Sequence, residues 1–236
     1  MIKNIFVAFG TISKIPVPYI KNIDIKKSTI YFPLVGYAAF LLLWGTDFIF
    51  SKFFPEEISS ILIMFLYFFI FQYFHFDGLL DIIDGFGAQV KTKEQRLKIM
   101  KDPNVGAFAL LYGVIYLIIY FFAFKNLTGF QLIYPIFSRF FLVGLIAFCK
   151  PAKNEGLASY YYPYPKRYFL YSSIFIIPLL FLDISIFLKA LLAFFISFIF
   201  VKIISNKKIG GITGDVLGGG ACIYEIILLL IMMFKY

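Results

Sequence analysis

"ISSILIMFLYFFIFQYFHF" (58–76) runs without a break into "DGLLDIIDGFG" (77–87). The first stretch has the length and apolarity of a bilayer-spanning helix, which needs about 17–25 residues. The second places three carboxylates within eight residues, in a chain where only 15% of residues are charged. Soluble domains average about a quarter. With 61% hydrophobic residues, 22% aromatics and a mean hydropathy of +0.89, the chain reads as an all-α polytopic membrane bundle. No polar segment is long enough to fold separately, so residues 1–236 form one domain.

Working outward, apolar stretches of spanning length fall at 30–50, 58–76, 106–124, 131–149, 168–182, 185–204 and 216–234. This predicts about seven transmembrane helices, with a shallow interfacial segment at 4–12. The opening "MIKNIFVAFG" is too short an apolar run for a signal peptide. An N-terminus on the cytoplasmic side puts seventeen Lys and Arg residues on inside segments, against Lys52, Lys125 and Lys235 outside. That asymmetry predicts a multi-pass protein of the cytoplasmic membrane with its N-terminus inside. It also accounts for the net charge of +9 without a nucleic-acid partner. The inside loops, about 77–105, 150–167 and 202–215, hold nearly all the polar sequence, so the expected active site faces the cytoplasm. Cys149 and Cys222 have neither metal-ligand spacing nor a disulfide framework, and read as packing residues.

Asp77, Asp81 and Asp84 are spaced i, i+4, i+7 and project within about 60° of one another on a helix. Such a stripe repels itself unless a cation intervenes, and hard ions such as Mg²⁺ prefer oxygen ligands. His75, the chain's single histidine, precedes the stripe as a general base or an orienting group. In "RLKIMKDPNVGAF" (96–108), Arg96 is a candidate phosphate fork and Lys101 a candidate point charge. In "IGGITGDVLGGGACIYE" (209–225), glycines and Thr213 surround Asp215. They suit either anion binding at a helix entry or close helix packing. Glu225 and Arg139 lie inside spans, where an ionisable group marks a functional site by default. Arg139 needs an anion there: Glu225, the aspartate stripe or a substrate phosphate. Carboxylates for a divalent ion beside Arg and Lys for phosphate form the electrostatic apparatus of transfer at a phosphodiester or pyrophosphate.

Three motifs carry a family resemblance: "HFDGLLDIIDG" (75–85), "IMKDPNVGA" (99–107) and "GGITGDVLG" (210–218) with Glu225 ten residues after Asp215. Weaker matches lie at "SKIPVP" (13–18), "YFPLVG" (31–36), "SRF" (138–140) and "EGL" (155–157). In this order the sequence resembles cobalamin synthase, the adenosylcobinamide-GDP ribazoletransferase family. Departures include Ile82 and Ile83 between the aspartates, Lys14 and Lys153 at basic positions often filled by arginine, and Cys222 at a usually polar position.

The resemblance implies a Mg²⁺-dependent transfer of a phosphorus-containing group. Adenosylcobinamide-GDP and α-ribazole, or α-ribazole 5′-phosphate, would give adenosylcobalamin, or its 5′-phosphate, and GMP. It implies Asp77, Asp81 and Asp84 as catalytic, metal and pyrophosphate residues, Asp102 and Asp215 as further ligands or base, and Glu225 as a further metal ligand, with the choice of base open among the aspartates. Arg96, Lys101, Arg139, Gly211, Thr213 and Gly214 would hold phosphate. Membrane lipid, a second copy of the chain and other enzymes of B12 assembly are the expected partners. Two rivals fit less well. A CDP-alcohol phosphotransferase needs Ala and Arg where Asp81 and Ile82 stand. A cation-coupled transporter would distribute its ionisable groups about the midplane.

Overall fold

A computed structural model describes residues 1–234; Lys235, counted above with the outside charges, lies outside the described residues. Its elements are helical: α1 (Ile2–Ile12), α2 (Ile25–Phe50), α3 (Glu56–Gly87), the short α4 (Lys93–Ile99), α5 (Ala107–Phe124), α6 (Gly129–Phe148), α7 (Arg167–Leu182), α8 (Ile184–Ile209) and α9 (Gly214–Met233). Six of these, α2, α3, α5, α6, α8 and α9, are long and apolar enough to cross a membrane.

The expected fifth span, α7, is shorter. It breaks around Ile174–Ile176 and restarts at Ile177 with Pro178 in its first turn, where a missing N–H costs least. Loop 150–166 pairs with the start of α9 through the Pro151–Ile212 bridge, and α8 returns to that same end at Ile209. Six helices are thus of spanning length where seven were expected, and α7 falls below that length. The far end is marked by the Lys125–Glu57 pair at 3.5 Å.

α6 is the central helix, with 83% of its spanning window buried against 28% for α8. Backbones approach closely where glycine replaces a side chain. A Cβ on Gly36 of α2 would lie 2.5 Å from the Ile136 Cα of α6. On α9, Gly218 and Gly219 meet the α3 backbone at His75, Gly78 and Leu79, each about 3.0 Å from a built Cβ. Close approach by small residues is how helices gain packing energy in lipid, where apolar burial gives little. For Gly218 and Gly219, helix packing is therefore the use the fold makes of the glycine run.

α3 does not stop at the predicted edge of the hydrocarbon. It continues to Gly87, so Asp77, Asp81 and Asp84 occupy its last turns rather than a loop. Midway, residues 68–72 form a π-helical turn. Its Ile70 carbonyl accepts from the Lys14 backbone N–H at 2.7 Å, and its Phe71 carbonyl from Arg139 Nη2 at 2.7 Å. A π-turn of this kind widens the helix and opens carbonyls to outside donors.

Candidate active site

The carboxylates gather where the end of α3 meets the start of α9 and the loop after α4. Gly78 is the hinge of that meeting: a Cβ there would lie 2.7 Å from the Asp215 carbonyl oxygen. Two adjoining clefts open beside it. The larger, about 440 Å³, is lined by Gly10 and Thr11 of α1, Asp77, Lys101, Lys153, Leu157 and Thr213–Asp215. The smaller, about 350 Å³, is lined by Asp77, Asp81, Asp84, Lys101 and Asp102. Asp77, Met100 and Lys101 line both.

Each aspartate has a different setting. Asp77 is exposed at the junction, while Asp81 is half-buried one turn on. Asp84 accepts from the backbone N–H groups of Gly106 (2.6 Å) and Ala109 (3.0 Å), so its carboxylate caps the N-terminus of α5. Asp102 accepts from the backbone N–H and Nδ2 of Asn104 at 2.9 and 2.8 Å, bonds that hold its carboxyl below the usual range. Asp215 accepts from the Thr213 hydroxyl at 3.2 Å, and Thr213 in turn caps α9 by accepting from the Val216 N–H.

The basic residues divide more sharply. Arg96 donates to the carbonyls of Gly85, Phe86, Ala88 and Val90, and Lys208 donates to Phe86 O at 2.7 Å. Both cations satisfy the otherwise open C-terminal end of α3, where positive charge is favoured. The guanidinium expected as a phosphate fork is thus committed to the backbone. Lys93 likewise donates to Ala152 O. Lys101 and Lys153 reach the larger cleft instead.

Arg139 and Glu225 belong elsewhere. Both are fully buried and pair at 3.3 Å, midway along the bundle. Glu225 also accepts from Tyr67 (2.8 Å), Tyr120 (3.3 Å) and Gln72, while Arg139 donates to Ser138 Oγ and Phe71 O. Neither residue, expected to hold phosphate and metal respectively, lines the two clefts. Of the three anions open to Arg139, the fold supplies Glu225.

His75 is buried behind the site, its Nδ1 donating to Phe71 O at 3.0 Å. The ring lines a small cavity shared with Thr11 and Gly214. Gly211 is packed against loop 150–152, where a Cβ would lie 2.5 Å from Lys150 O. Gly214 lines the cleft with 3.5 Å to the nearest neighbour of a built Cβ. Sequence reasoning missed Gly10, Thr11 and the placement of Lys153, because α1 and loop 150–157 reach the site only through tertiary packing.

Among the described residues, no group of three His, Cys, Asp or Glu side chains could hold a metal ion unaided. The donor set suits a hard cation shared with a ligand: Mg²⁺ is usually bound by one or two carboxylates together with substrate phosphates. On α3 and α9, Asp77, Asp81 and Asp215 are the carboxylates here without a backbone cap to satisfy; Glu155 of the loop after α6 also lines the larger cleft.

A family model described as cobalamin-5-phosphate synthase matches residues 4–233. Among curated relatives, the adenosylcobinamide-GDP ribazoletransferase of Thermosipho melanesiensis is 38% identical, covering 99% of each chain. That of Fervidobacterium nodosum is 36% identical over 99% of this chain and 98% of its own. The Kosmotoga olearia protein of the same name is 37% identical over 92% of each. No solved structure matches. With three polar motifs brought to one end of a helical membrane bundle, and matches along nearly its whole length, the chain belongs to the cobalamin-5-phosphate synthase family.

Proposed function

We propose that this chain joins adenosylcobinamide-GDP to α-ribazole or its 5′-phosphate, releasing GMP, at the two clefts between α3, α9 and the loop after α4. The observation that carries the reading is the position of Asp77. Among the site carboxylates it alone lines both clefts, so it can face an acceptor in one and a diphosphate in the other.

A ribazole hydroxyl attacks the phosphorus attached to cobinamide. The new O–P bond forms as the bridging P–O bond of the diphosphate breaks, and GMP leaves with that electron pair. Asp77 takes the hydroxyl proton, a role worth about 10²–10⁴ in rate. Lys101, which also lines both clefts, places an ammonium against the departing phosphate. Asp81 and Asp215 would hold Mg²⁺ jointly with the diphosphate. When bound, that ion would neutralise charge on the transferring group and on the leaving GMP. Asp84 and Arg96 position the reaction by fixing the start of α5 and the end of α3.

The polar end collects the basic loops, which supports a cytoplasmic orientation of the site in the cell membrane. The test is reconstitution. Purified protein in nanodiscs, given adenosylcobinamide-GDP, α-ribazole and Mg²⁺, is expected to form a cobalamin product and GMP in equal amounts. Absence of product under those conditions, with cation flux in liposomes, would replace this reading with transport.

A further inference from the structure

A separate cavity of about 540 Å³ opens where the end of α6, the start of α7 and the last turns of α8 meet. It shares no lining residue with the two clefts. Three lysines line it, Lys150, Lys166 and Lys202, together with Asn206, Phe148 and Cys149, and no carboxylate does.

The chain itself leaves these three charges unmatched. Among the described residues, ion pairs within 4.0 Å occur at Lys125–Glu57 and Arg139–Glu225. The lysine ammonium groups that reach a carbonyl or carboxylate are those of Lys93, Lys125 and Lys208. Lys166 and Lys202 have aromatic faces instead, with Nζ 5.9 Å from the Phe148 ring centre and 5.3 Å from that of Phe198. The two rings are themselves packed edge to face at 6.4 Å, so the lysine stems rest on a fixed aromatic wall. Such contacts steady an ammonium but do not neutralise it. Three like charges around one cavity form a site for an anion.

Depth decides which anion. Lys202 stands seven residues before the end of α8 at Ile209, about 10 Å along the helix. It is followed directly by the exposed Ile203, and α8 goes on to expose Ile199 and Phe195 toward its other end. α7 exposes Leu170 and Ile174 beside the same cavity mouth. The lysines therefore sit at the edge of apolar surface that hydrocarbon would cover, the level at which long cationic side chains meet headgroups. A free phosphate uses the lysines alone, whereas a phospholipid uses both the charge and the apolar faces. Basic pockets between spanning helices hold anionic headgroups in this way. We propose that this cavity binds the phosphodiester of an anionic phospholipid, with its acyl chains against α7 and α8. The site is independent of the reaction proposed above.

The test measures lipid binding to the purified protein in detergent by native mass spectrometry, with phosphatidylglycerol or phosphatidylcholine added. Wild type is expected to retain phosphatidylglycerol in preference to phosphatidylcholine. The triple variant Lys150→Gln, Lys166→Gln, Lys202→Gln is expected to bind phosphatidylglycerol about 100-fold more weakly, and Lys202→Gln alone about fivefold. A control that removes three exposed lysines outside the cavity (Lys3→Gln, Lys91→Gln, Lys98→Gln) is expected to bind as wild type does. Equal retention of the two lipids by wild type, an unchanged affinity in Lys202→Gln, or an equal loss in the control would overturn the site. Displacement of the lipid by an equal concentration of inorganic phosphate would overturn the lipid as its occupant.

Discussion

The molecule has two clusters of opposite charge, and they are built on different terms. Midway along the bundle, Arg139 and Glu225 are fully buried, and Glu225 takes donors from Tyr67, Gln72 and Tyr120. At the polar end, Asp77, Asp81, Asp215, Lys101 and Lys153 line open clefts and form no ion pair among themselves. The first cluster meets its electrostatic needs within the chain and acts on the fold. The second leaves them to be met by something that binds. An ionisable residue in a membrane helix is thus a functional signal only when the fold leaves it unmatched.

The sharpest way to break this comparison is to neutralise a member of the open cluster. Asp77→Asn is expected to lower kcat about 10²–10⁴-fold, with the helical circular dichroism and the melting temperature of the detergent-solubilised protein unchanged. A matching loss of melting temperature would make Asp77 a structural residue. The closed cluster should respond the other way. Arg139→Met leaves Glu225 buried and unpaired and is expected to cost about 3–5 kcal/mol of stability, read by denaturant unfolding in mixed micelles. Adding Glu225→Gln should return part of that loss, since removal of the second charge leaves no lone ion. If the double variant is worse than the single, the pair is not the unit described here.

A smaller effect tests an aspartate that sits between the two cases. Asp84 belongs to the stripe by spacing, yet its oxygens accept from Gly106 and Ala109 N–H. Asp84→Ala is expected to destabilise α5 by about 0.5–2 kcal/mol, the usual worth of a cap, visible as faster hydrogen exchange at residues 106–109. Unchanged exchange there would remove the capping role.

Much of this was legible in the sequence. Hydropathy placed six of the seven expected spans, and the i, i+4, i+7 spacing put the three aspartates on the end of one helix. Spacing could not say that Asp84 would turn to the N-terminus of α5, because that depends on where residue 106 packs. Nor could it separate Arg96 from Lys101, since a loop cation and a helix-capping cation look alike until the open carbonyls at residues 85–90 are located. The glycine run was legible only as a choice between anion binding and packing. The 3.0 Å approach of Gly218 and Gly219 to α3 resolves it for those two residues. The break in α7 had a local signal in Pro178, whereas the π-turn at 68–72 depends on outside donors from Lys14 and Arg139.

The central claim is that the open carboxylates at the junction of α3 and α9 form the reaction centre. Its most direct test is GMP release from adenosylcobinamide-GDP and α-ribazole by wild type and Asp81→Asn in nanodiscs, each with Mg²⁺ and after its removal by EDTA. Expected are Mg²⁺-dependent release by the wild type and a drop of at least about 100-fold in a variant that remains folded, a part of the several kcal/mol that a bound ion supplies. Wild-type rates from folded Asp81→Asn would contradict it.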